Sequence, residues 1–427
     1  MGSARQVSAG NAVYAVAFLL LVAAFITTGC AQTKDVRVGA LRDGRGPLDT
    51  EGVPHWHLHT AGGDNGRTIE VTTLAAEGPG SLGEALTARG PRRVVFRVGG
   101  VIDLGARDWW IREPYLTLDG GSAPEPGITL IRGGLMVGAH DVLIRHLRIR
   151  PGEAGFAKGS GWEIDGISTV DGAFNVLIEN CSITWATDEN LSASGPRFAG
   201  DTPEEWRRNT SHRILFRHNI IGEGLSRSTH SEPEHSKGTL VHDNVTEIAI
   251  IGNLYISNMD RNPLFKGGTR AILANNLIHN PGRWAIHYAL VPAEWRGREP
   301  IPGRLAIVGN VVRHGPDTPR TMPIGAFTGR AEVFTHDNRV VRRGGGDLGV
   351  PWVGQYTALR ALPFWLEGFA ARPAAETADW VLVNAGARPW SRDAVDRRLV
   401  EEARTGGGRI IDSEQQAGGY PQHRRAL

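Results

Sequence analysis

Five segments of this chain, RILFRHNII, EIAIIGNLY, RAILANNLI, RLAIVGNVV and EVFTHDNRV, each close an apolar run on an asparagine. Those asparagines are Asn219, Asn253, Asn276, Asn310 and Asn338, spaced by 34, 23, 34 and 28 residues. Two earlier copies, DVLIRHLRI and NVLIENCSI, put Leu147 and Cys181 in the same column. A primary amide inside an apolar strand is costly unless its donors and acceptor are met. Stacked coils of a parallel β-helix meet them, because each amide can bond the next along the stack. The unequal spacings then measure turns of different length around strands of constant shape. The reading is an all-β solenoid, with coils from about 90 to 345.

The rest of the chain is read around that repeat. With 56 Gly and 24 Pro in 427 residues the chain turns often. Its 47 basic and 45 acidic side chains nearly cancel, which gives no basic surface for nucleic acid. Arg5 precedes the apolar stretch Ala12 to Ile26, which runs into Thr27-Thr28-Gly29-Cys30, the order of an export signal. Cys30 after small residues resembles the lipobox of bacterial lipoproteins, with Thr27 where leucine is usual. The expected organisation is a signal over 1–29, a polar tether over 30–67 and one folded body over 68–427. That body is expected to be a monomer, exported and either membrane-anchored through acylated Cys30 or secreted. Only Cys181 and Cys30 exist, so no disulfide is expected within it.

Ser81 to Leu86 reads as a short helix capping the first coil, and WSRDAVDRRLVEEARTG as a C-terminal helix ended by glycines. Insertions fall at 194–211 and 226–236, and 288–303 and 342–378 read as long loops. Three segments carry polar groups that a coil does not need: GWEIDGISTV with Asp165, WATDENLSA with Asp188 and Glu189, and the pair HSEPEHSKGTL and NMDRNPLFKGG with Lys237, Arg261 and Lys266. Matching positions on neighbouring coils lie about 4.8 Å apart, so the carboxylates can form an oxygen-rich patch suited to Ca²⁺. His230 and His235 bracket an acidic loop, expected to be solvated. Asp188 and Glu189 are expected on opposite strand faces, which disfavours a two-carboxylate glycoside hydrolase.

With GPGSLGEAL, VVFRVGGVIDL, RHLRIRPG, NVLIENCSITWATDENLS, EHSKGTL, NMDRNPLFKGG and NAGARPWSRDAVDRR in this order, the chain resembles polysaccharide lyase family 1, the pectate lyases, over roughly residues 68 to 420. The resemblance implies a right-handed single-chain parallel β-helix that cleaves an acidic polysaccharide, such as polygalacturonate, by β-elimination with Ca²⁺. It implies that Arg261 is the base, that Lys266 is the second basic residue of its signature and that Lys237 binds a substrate carboxylate. It makes Asp165 a calcium ligand and Asp188 the first acid of a D-x-x-x-D pair whose second acid is here Ser192. A different class of reading stays open: a glycan-binding surface lipoprotein of the same fold without catalysis.

Overall fold

The asparagine column is built as expected. In the computed structural model, which describes residues 43–348 and 351–421, all five asparagine side chains are fully buried. The Oδ1 of Asn253 accepts the main-chain N–H of Asn219 at 2.8 Å and its Nδ2 at 3.0 Å. Asn276 does the same for Asn253, Asn310 for Asn276, and Asn338 for Asn310, at 2.9–3.0 Å. At one end Cys181 N–H donates to Asn219 at 2.8 Å. At the other, Asp43 takes the place of a next asparagine, receiving both the N–H and the Nδ2 of Asn338 at 2.6 and 3.0 Å. Before Cys181 and each of the five amides the chain turns through a left-handed residue: Asn180, His218, Gly252, Asn275, Gly309 and Asp337.

Each coil contributes one strand to each of three parallel stacks. The first stack includes Phe174–Glu179, His212–Arg217, Thr246–Ile251, Arg270–Ala274 and Gly303–Val308. The second includes Ser182–Thr184, Ile220–Gly222, Leu254–Ile256, Leu277–His279 and Val311–Arg313. The third includes Ile167–Thr169, Glu189–Ala193, Lys237–Val241, Leu264–Lys266 and Ile286–Ala289. The coil begins earlier and ends later than expected, from Arg67–Val71 to Trp352–Ala358. Inward residues such as Ile178, Ile183, Val241 and Phe265 form one continuous core. Helix α1 (Leu82–Thr87), N-capped by Ser81, closes its first end with Leu82, Ala85 and Leu86 in that core.

Two of the three outer faces are covered. Helices α3 (Ala374–Asn384) and α4 (Ala394–Thr405) lay Ala378, Val381, Leu399 and Ala403 on Ile220, Leu254 and Leu277 of the second stack. The fully buried Arg150 ties α4 down through Asp393 and Asp396 at 2.6–3.1 Å. On the first stack, Leu48, Val53 and Trp56 join Leu362, Phe364 and Trp365 over Ala249 and Ile272. The expected tether is therefore part of the fold from Asp43 onward, where His55–Trp56 pairs as a strand with Trp365–Leu366. The expected loop over 342–378 is likewise corrected, since it holds the strand Trp352–Ala358 and starts α3. Helix α2 (Pro203–Asn209), with a Thr202–Glu205 capping box, interrupts the insertion at 194–211. The signal segment and Cys30 lie outside the described residues. No helix among the described residues is long and apolar enough to cross a membrane.

Candidate active site at the edge of the third stack

With the other two faces buried, the polar segments gather where the chain enters the strands of the third stack. Asp165 precedes Ile167–Thr169, Asp188 precedes Glu189–Ala193, Lys237 opens its strand, and Asp260 and Arg261 precede Leu264–Lys266. Glu189, Lys237 and Asp260 stand in register on three successive rungs, alternating in charge. Lys237 Nζ lies 3.6 Å from the Asp260 carboxylate, which also accepts the Arg261 N–H at 2.6 Å.

Carboxylate oxygens of Asp165, Asp188 and Glu189 lie within 4.8 Å of one another. This corrects the expectation that Asp188 and Glu189 diverge: Asp188 sits in a bend ahead of the strand, where side chains do not alternate. Ser192, the position of the missing second acid, is buried between Ser168 and Leu240 in the strand register, and Glu189 is the third carboxylate of the cluster. Three clustered carboxylates are a hard oxygen donor set, and such a set fits Ca²⁺. Burial and the Asp188 charge push the Asp165 carboxyl well above its ordinary pKa. Burial acts the same way on Asp188, but the His235 hydrogen bond and the charges of His235 and Arg261 outweigh it, holding that carboxyl down at about 2. Cations lower the cost of holding carboxylates together, and Arg261 is one of them.

Arg261 is in the left-handed conformation at φ 58° and its guanidinium pairs with Glu189. Burial pushes its pKa below the usual arginine value, against the pull of Asp188, Asp165 and Glu294. Lys266, on the next part of the same rung, is paired with Glu294 rather than with the carboxylate cluster. The histidine loop is not solvated as expected. His230 and His235 are buried and stacked at 3.6 Å, and His235 Nε2 meets Asp188 Oδ1 at 2.8 Å while its Nδ1 faces Glu232 at 3.2 Å. His230 Nδ1 accepts the Glu232 N–H at 2.9 Å, so its neutral ring carries the proton on Nε2 and offers no lone pair there.

Sequence reasoning missed Asp260, His287, Arg197 and Glu294. Asp260 was findable by setting Lys237 and Asp260 in the same column. His287, whose Nδ1 lies 3.8 Å from the Asp260 carboxylate, was not, because nothing in IHYAL distinguishes it from any other strand residue. Trp185 is core rather than groove, with Nε1 bonded to Glu223 at 3.0 Å.

No family model matches the chain. The proteins it resembles are consistent with one another. A protein of Aspergillus terreus named "Probable pectate lyase C" is 29% identical over 382 residues, spanning 86% of this chain and 80% of its own. Its namesake in Neosartorya fischeri is 30% identical over 372 residues, spanning 84% of this chain and 78% of that one. The chain belongs to the pectate lyase family. Among solved structures, the pectate lyase family fold recurs in a pectate lyase bound to a hexasaccharide, at TM-score 0.52 and 11% identity over 81% of this chain and 99% of that one. The cedar pollen allergen jun a 1 matches at TM-score 0.53 and 15% identity, over 77% of this chain and 90% of the allergen. At those identities the structural likeness speaks for the β-helix, and the sequence relatives speak for the family.

Proposed function

We propose that this member of the pectate lyase family is an exported lyase of polysaccharide lyase family 1 type that cleaves a uronate polymer such as polygalacturonate by β-elimination. The reading is carried by one observation: Arg261, Lys237 and three carboxylates converge at the entry edge of the third stack, which neither the terminal helices nor the segments 48–56 and 362–365 cover. Arg261 takes the proton from C5 of a uronate, and its lowered pKa brings a group that is ordinarily a poor base nearer to that task. Lys237 faces the carboxylate on which negative charge grows, and Lys266 binds a further substrate carboxylate. The electron pair from C5 forms the C4–C5 double bond, and the bond from C4 to the glycosidic oxygen breaks as that oxygen takes a proton from water, leaving a 4,5-unsaturated uronate on one product. Asp165, Asp188 and Glu189 would hold Ca²⁺, which when bound supplies positive charge against substrate carboxylates. The pairs Arg261–Glu189 and Lys237–Asp260 keep the cations oriented in the free protein. The Ala12–Ile26 segment would direct export, with Cys30 as the acylated residue of a membrane-anchored form.

Incubating the mature protein with a panel of uronans, with Ca²⁺ or chelator, and following ultraviolet absorbance of unsaturated product tests the reading. Absorbance rising on polygalacturonate supports it. A protein that binds uronans and releases no unsaturated product is a binding solenoid instead.

A further inference from the structure

Lys266 has a carboxylate partner outside the catalytic cluster. Its Nζ lies 2.8 Å from Glu294 Oε2, and Arg197 Nη2 reaches the same oxygen at 2.8 Å. Arg197 Nη1 donates to the Glu294 carbonyl at 3.1 Å, while its Nε is held by the fully buried Asp243 at 2.9 Å. Both cations are thus fixed by the coil, one on the third stack and one through Asp243. The anion between them is carried on a short turn, Pro292–Trp295, in the connection from Ile286–Ala289 to Gly303–Val308. Trp295 beside it is fully buried against Phe198 and Trp206 at ring separations of 5.5 and 6.4 Å. The turn is anchored by Trp295, so the Glu294 side chain, 27% exposed, can leave without it. The Glu294 charge also acts on Arg261, so this carboxylate lies in the field of the groove.

Two cations converging on one oxygen require an anion, and a planar guanidinium favours a carboxylate. Nothing in the arrangement requires that carboxylate to be the protein's own. We propose that Arg197 and Lys266 form a clamp for a uronate carboxylate, that Glu294 occupies it in the free protein, and that substrate displaces Glu294. The proposal rests on the uronate-lyase reading and adds Arg197 and Glu294 to it. Substrate binding includes an exchange of one carboxylate for another, and Glu294 acts as a built-in competitor.

The test is calorimetric titration with galacturonate oligomers, together with KM on polygalacturonate, for wild type, E294Q, E294A and R197Q. A clamp free only about a tenth of the time weakens apparent affinity about tenfold, so E294Q and E294A are expected to lower Kd and KM by about that factor. R197Q is expected to raise both. A neutral galactose oligomer should gain nothing from either Glu294 substitution. Glu294 variants that bind uronate no better than wild type, or that no longer melt cooperatively, make Glu294 a structural strut and overturn the proposal. Binding without cleavage by wild type refutes the lyase reading and leaves the clamp to be judged on Kd. No binding by any of the four proteins overturns both.

Discussion

Replacing Asn276 by leucine removes the middle of the amide column and nothing else of similar size. The Asn276 side chain takes part in five hydrogen bonds: two accepted from Asn253, and three donated to Ile250 O, Ala274 O and Asn310 Oδ1, at 2.9–3.1 Å. After the substitution, the N–H and Nδ2 of Asn253 are buried donors without that acceptor, while Asn310 Oδ1 keeps the Asn276 N–H. An unmet buried polar group costs about 1–3 kcal/mol. Asn253 Nδ2 keeps Phe216 O and Ile251 O, so its loss is partial, and the better packing of leucine offsets some of the rest. A net loss of about 3 kcal/mol follows from the orphaned Asn253 N–H, the weakened Asn253 Nδ2 and the donor lost at Ile250 O and Ala274 O. For a body of this length an entropy of unfolding near 0.8 kcal/mol per degree converts this to about 4 °C in Tm. Scanning calorimetry of wild type and Asn276→Leu measures it. A variant that melts within about 1 °C of wild type would show that the column contributes shape without net stability.

Arg261→Lys keeps the charge but loses the planar fork, and turnover on polygalacturonate should fall by about 10²–10⁴ while oligomer binding persists; normal turnover would move the base elsewhere. Glu189→Gln should weaken Ca²⁺ binding about tenfold or more in a calorimetric titration, and unchanged affinity would remove Glu189 from the donor set. Burial lowers the His279 pKa to about 4, so its neutral form belongs to the fold. The stability it contributes is complete above about pH 6.5 and is lost as pH falls toward 4, by up to about 1.4 kcal/mol per pH unit, and denaturant titrations of His279→Gln should show a flatter pH profile. Metabolic labelling with a fatty acid should mark wild type and not Cys30→Ala, and an unlabelled wild type would make the secreted form the right description.

The amide column was legible because a buried amide is rare enough in apolar strands to reveal its partners. The terminal helix α4 was legible for a similar reason, since its Asp393 cap and Gly406 stop are written locally. Helix α3 was not, because it starts after Pro373 with no side-chain cap and its apolar face makes sense only against Ile220 and Leu254. At the site, residue types that chemistry demands stood out: Arg261, Lys237 and the acids. What stayed hidden was pairing. Glu189 meets Asp188 only because a bend breaks strand alternation, and Glu294 reaches Lys266 only through a connection whose path no periodicity encodes.

Asp43 closes a stack whose last amide lies 295 positions away. An amide column has no intrinsic length, since each rung presents to the next what it received from the last. A carboxylate accepts two donors and offers none when ionised, so it ends the series as a chain terminator ends a polymerisation. Remove the segment that carries it and the final coil presents free donors beside an unpaired strand edge, which is the template on which a second molecule adds. One carboxylate from the beginning of the folded body thus sets where the column ends.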